Sequence, residues 1–137
     1  MLADAVIHVD TVSISKTDIL TATTIKTLVA APATGYYLDF IGATLTIKYA
    51  TAAYTGGGNL SIGWVGGAAI SGIVTAANSF GNANSKIWQL RPTTTAGVEL
   101  VKETALGLQT AGQFTDPGTA AGTAECTIAY RILPIET

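Results

Sequence analysis

The sequence predicts an all-β domain, an antiparallel β-sandwich of jelly-roll type with about eight strands. Three observations carry this reading. Apolar residues recur at every second position through most of the chain, the period of a strand with one buried face. Turn residues (Gly, Asn, Asp and Pro) punctuate the pattern every ~8–12 residues. Ala, Thr and Gly together fill 59 of 137 positions. Threonine suits extended backbone because of its branched Cβ, and its hydroxyl keeps an outward face wet. No stretch shows the spacing of an amphipathic helix, and a closed barrel is the less favoured alternative to a sandwich.

The elements follow in chain order. Ala5 to Ser15 reads as a strand with Ile7 and Val9 on one face, and a polar turn at Lys16 to Asp18 separates it from a second strand, Thr23 to Val29. Tyr36 to Ala50 is a long strand in which Tyr37, Ile41, Leu45, Ile47 and Tyr49 oppose Thr44, Thr46 and Lys48. Gly42 in its middle marks a bulge or bend, where the chain is free to change sheets. Tyr54 to Asn59 is a glycine-rich connection that signals a hairpin into Leu60, Ile62 and Trp64. Gly66-Gly67 turns the chain into Ala69 to Thr75, and Ala76 to Ser85 is a loop with room for one helical turn. Short strands are expected at Ile87 to Leu90, Val98 to Val101 and around Leu106 and Leu108. Asp116-Pro117-Gly118 forms a turn, and Thr123 to Leu133 closes the domain with Ala124, Cys126, Ile128, Tyr130 and Ile132 on one face.

Length and charge bound the function. The 137 residues, 14.0 kDa, fit a single domain spanning 1–137, with a short N-terminal segment expected as an extended arm. The seven Lys and Arg lie singly along the chain, without the clustered cations that nucleic acid or an anionic membrane surface requires. The longest charge-free apolar run, Ile62 to Val74, is interrupted by Gly63, Gly66, Gly67 and Gly72 and falls short of the ~20 residues that span a bilayer. No signal-peptide layout opens the chain, and the lone Cys126 has no intramolecular partner. Synthesis in a reducing cytoplasm is expected. Charged residues are 12% of the chain against a usual figure of about 25%, and they must cover roughly 6,700 Å² of surface. Sparse charge and a net charge of −2 give little mutual repulsion. Both favour a subunit with sides buried in an assembly.

The candidates for chemistry are few. His8 is expected on an edge or surface strand without an acid–base partner. Cys126 falls on an apolar face, where a thiol stays protonated and inert. The carboxylates never take calcium-loop spacing. Gly56-Gly57-Gly58 lacks the Lys-Ser/Thr that a phosphate-cradling loop needs, and Asn59-Leu60-Ser61 matches a glycosylation acceptor by chance. No enzyme, metal or cofactor is expected. The aromatics Trp64, Trp88, Tyr36, Tyr37, Tyr49, Tyr54 and Tyr130 sit in strand patterns, where core packing or subunit contact explains them, with sugar stacking as the alternative.

The run from Leu38 through Tyr49, with Asp39, Gly42 and Thr44 between its apolar positions, is followed by Ala53-Tyr54-Thr55-Gly56-Gly57-Gly58-Asn59-Leu60-Ser61-Ile62. Together with Thr27 to Tyr36 and the ending Gly122 to Leu133, it resembles small virion proteins of tailed bacteriophages. Ser71 to Leu90 lies outside the likeness. The resemblance implies a capsid decoration, or cement, protein: a β-sandwich bound to the major capsid protein on the outside of the head shell, often as a homotrimer. It implies a virion location, without nucleic acid, membrane or cofactor. On this reading Met1 to Ile7 and one sandwich edge contact the shell, and the loops Ala76 to Ser85 and Thr110 to Gly122 project or meet neighbours. The candidate interface residues are Leu2, Val6, Tyr36, Tyr37, Tyr54 and Trp88. The rival expectation is a tail, fibre or baseplate adhesion module that binds a host glycan.

Overall fold

Twelve residues near the C-terminus, Thr123–Pro134, form strand β9, which alternates strictly from Thr123 to Tyr130 with Ala124, Cys126, Ile128 and Tyr130 buried. Its neighbours set the architecture. In the computed structural model, described over residues 6–21, 23–93, 99–118 and 121–135, nine strands are present among the described residues. They are β1 (His8–Ile14), β2 (Thr24–Val29), β3 (Tyr36–Lys48), β4 (Thr55–Gly56), β5 (Leu60–Trp64), β6 (Lys86–Leu90), β7 (Leu106–Thr110), β8 (Phe114–Thr115) and β9.

The sheets are ordered β1-β9-β3-β6, β2-β7-β5 and β4-β8, and neighbouring strands are antiparallel. Residues 69–74 extend the second sheet beyond β5 through single bridges at Gly63↔Ala69 and Leu60↔Val74. With that segment counted and the two-residue strands β4 and β8 set aside, eight strands remain in jelly-roll order: β1, β9, β3 and β6 (first, eighth, third, sixth) in one sheet and β2, β7, β5 and 69–74 (second, seventh, fourth, fifth) in the other. The sandwich expected from the two-residue period is present. Its core joins Ile14, Leu38, Leu45 and Ile128 from the larger sheet to Leu60, Ile62, Leu106 and Leu108 from the smaller, all within 1% of full burial. Tyr54, Phe80 and Phe114 close one region of it edge to face, with ring centroids 5.4 to 6.3 Å apart.

Four local expectations need correction. The turn after β1 is a helical turn, α1 (Lys16–Ile19), because Ser15 and Asp18 form a reciprocal capping box. The Ser15 N–H bond is the main reason the Asp18 carboxyl titrates below its usual range. The bulge at Gly42 does not move β3 between sheets; its pairing with β9 merely skips Ile41, passing from Phe40↔Tyr130 to Gly42↔Ala129. That extra residue inverts the parity. Leu38 and Phe40 point inward before it and Ala43, Leu45 and Ile47 after it, so Ile41 is exposed and Tyr37 only half-buried, not in one inward row with Leu45.

The glycine-rich connection after Tyr54 is a crossing between sheets and not a hairpin, since β3 and β5 belong to different sheets. Gly57 has φ +72°, and a Cβ there would run into the Phe114 ring. The hairpin in this region is the next one, where Trp64 N–H donates to Ala68 at 3.1 Å. Lastly, Val98 lies outside the described residues and 99–101 form no strand; pairing is confined to a bridge between Lys102 and Tyr37. Glu103, at φ +57°, fixes that bridge by donating its N–H to Tyr36 at 2.9 Å and accepting the Gly35 N–H at 2.9 Å.

Candidate functional site

The outward positions of the four-stranded sheet make a broad face of small and hydroxylic side chains. Register places Val9, Ala129 and Gly42 in one row, Thr11, Thr127, Thr44 and Gln89 in the next, and Ser13, Glu125, Thr46 and Ile87 in a third. The Thr11 and Thr127 hydroxyls bond each other at 3.1 Å across β1 and β9. Val9 is 61% and Ile87 72% exposed. Apart from Glu125 in the third row, charge on these strands sits towards the two ends: Arg131 is paired with Asp39 at one, and Lys48 stands at the other. Beside the bulge, Ile41, Gly42, Thr44, Gln89, Arg91 and Ala129 edge an open groove of about 620 Å³. Single threonines gave no sign of this row, because cross-strand register is set by β9 pairing with β1 and β3 from far along the chain.

The candidate interface residues scatter over the molecule. Leu2 lies outside the described residues. Val6 is exposed just before β1, and Tyr36, 41% exposed, opens β3 at the same end of the sheet, on the other side of β9. Tyr37 is half-buried next to Tyr36. Tyr54 is a core residue, 3% exposed, and donates its hydroxyl to the Gly122 carbonyl at 2.7 Å. Burial, with Asp116 adding to it, pushes that phenol up to about 12. Trp88 packs half-buried against the core and gives its indole N–H to the Asn78 carbonyl at 2.8 Å. Val6 and Tyr36 are therefore the most exposed of the described candidates, and they flank β9 at one end of the larger sheet.

The titratable groups are held in quiet surroundings. Burial raises the Cys126 thiol to about 12. Tyr130 stacks on His8 with centroids 5.3 Å apart and donates its hydroxyl to Asp10 at 2.8 Å. Burial and that bond push Tyr130 up to about 12, so it keeps its proton at neutral pH. A second cavity, about 540 Å³, opens beside Trp64, Val65, Ile70 and Val101, with the Trp64 indole N–H committed to the Glu99 carbonyl at 3.0 Å. Among the described residues no group of three or more His, Cys, Asp and Glu side chains is placed to hold a metal ion. Among them, too, no helix is long and apolar enough to cross a membrane.

No known family matches the sequence, and no curated protein matches it. Among solved structures, the chain is similar to one in the cyanophage Pam1 capsid asymmetric unit, with 20% identity, a TM-score of 0.47, and coverage of 96% of this chain and 86% of that one.

Proposed function

We propose that the chain is a virion structural protein of a tailed bacteriophage that binds the exterior of the capsid shell and stabilises it. The observation that carries this reading is the weakly charged exterior of the sandwich. An uncharged row of three threonines and Gln89 crosses its larger sheet, with Val9 exposed on the β1 edge and Ile87 on the β6 edge. The sequence resemblance to small phage virion proteins supports the same reading. Cementing follows from mass action: a protein that binds only the assembled shell lowers the free energy of that state, and many copies add their contributions. The contribution is adhesive and not catalytic.

The rival reading, glycan adhesion, needs a free aromatic face beside the Asn/Ser-rich loop. Trp88 stands beside that loop, and its ring is half-buried against the core. The test is co-sedimentation of the purified protein with emptied, tailless heads and with detached tails. The expected result is saturable binding to heads, with shell disruption shifted to higher temperature. Recovery with tails alone would transfer the protein to the adhesion class.

A further inference from the structure

We infer that the outer face of the β1-β9-β3-β6 sheet is the docking surface for a second copy of this chain. The inference deepens the virion reading by naming a partner for that surface, and rests on it only for the premise that copies are crowded together.

The argument begins with area. Strands of 7, 12, 13 and 5 residues build the face. At roughly 3.4 by 4.8 Å of sheet plane per residue, they present about 600 Å². Two such faces together bury about 1,200 Å², the lower bound of specific protein interfaces.

Chemistry selects an identical copy as the occupant. A contact between like surfaces requires groups that can pair with their own kind; hydroxyls donate and accept, as Thr11 and Thr127 already do, whereas like charges repel. Thr, Ser, Ala, Gly and Val also lose little side-chain freedom on docking.

The charges then fit one arrangement. A two-fold axis lying in the face, across the strands at the threonine row, sets β3 over β3 and β9 over β9 while exchanging their ends. Thr44 and Thr127 then meet their own counterparts. Lys48 lies four positions from Thr44, paired with Thr123, and Arg131 lies four from Thr127 in the other direction, paired with Asp39. Lys48 of one copy therefore comes over Asp39 of the other, and Glu125 comes within one row of the other's Arg131. Each copy supplies both partners of each pair, as an isologous contact demands.

The experiment is light scattering on the full chain over a broad dilution series, with circular dichroism to confirm folding. The expected species has twice the chain mass. Thr44→Arg and Lys48→Glu, both at exposed positions, reduce it to single chains. Ile73→Arg, at a residue 63% exposed on the segment bordering the other sheet, leaves it intact. Single chains at every concentration, a trimer, or a dimer that survives Thr44→Arg with the fold unchanged overturns the inference. Head binding is measured separately on the same proteins, so the virion reading and this contact fail independently.

Discussion

Along β3 and β9 the chain pairs at twelve positions with one skipped residue, whereas β5 has a five-position ladder with β7 on one edge and only single bridges and a side-chain clamp on the other. Both regions reach full burial. In the ladder, the regular alternation of apolar residues makes the core, and the outward hydroxyls are free to serve another purpose. Every residue of β5 is buried, and on the edge away from β7 its polar backbone is satisfied from the irregular segment 68–74. Ser71 accepts the Ile62 N–H at 2.8 Å, and the Gln109 amide donates to the Trp64 carbonyl at 2.6 Å. Long pairing tolerates individual changes on its wet face, and a clamped region depends on particular atoms.

The strongest way to probe the ladder is to remove mass from its inward row. Leu45 is fully buried. Leu45→Ala is expected to lower unfolding stability by about 2–5 kcal/mol, the transfer loss plus the cavity it leaves. Chemical denaturation should show the midpoint falling with an unchanged slope. Thr46→Ser, at a half-buried outward position of the same strand, should shift stability by no more than about 0.5 kcal/mol. If Leu45→Ala costs under about 1 kcal/mol, the ladder does not anchor the core as described.

That contrast also explains what could be read from the chain alone. The ends of β2, β6, β7 and β9 fell within a residue or two of the expected positions, for β9 through regular alternation up to Tyr130 and for β2 in spite of two register shifts. Even the bulge at Gly42 was legible, although the parity change it imposes was not: which of Tyr37 and Leu38 faces inward depends on Ile41 being skipped, and that is decided by β9. The crossing at Gly56 and Gly57 looked like a hairpin because glycine supplies positive φ to both, and local chemistry does not reveal which sheet the next strand joins. The candidate contact residues fared unevenly for a similar reason. Large aromatics serve cores and interfaces alike, and Tyr54 went to the core through its bond to Gly122, 68 residues away. The threonine row was hidden more completely, since its members come from four strands distributed over the whole chain.

The clamped region is tested by deleting one hydroxyl. Ser71→Ala leaves the buried Ile62 N–H without its 2.8 Å acceptor, an omission that costs about 1–3 kcal/mol when water cannot replace the partner. Amide exchange at Ile62 should accelerate more than at Leu45, because opening is confined to the β5 side. Equal acceleration at both sites would mean that the two regions unfold as one unit and that the distinction between ladder and clamp has no energetic content.

The smallest effect at neutral pH becomes visible in alkali, and it touches both regions. Cys126 and Tyr130 lie on β9, Tyr54 lies outside the ladder, and burial raises all three to about 12. In the unfolded chain the thiol releases its proton near pH ~8.5 and the phenols near ~10. The fold therefore retains protons that the unfolded chain has lost. This contribution is fully present below pH ~8.5 and declines as pH rises towards the folded-state values, by up to about 1.4 kcal/mol per pH unit for each group titrating only in the unfolded chain. Melting temperature measured against pH should be flat from this source between 6 and ~8.5, then fall in two stages. Cys126→Val removes the first stage and leaves the second, because the tyrosines are untouched. A first stage that persists in Cys126→Val would show that some other group, not the buried thiol of β9, releases the proton.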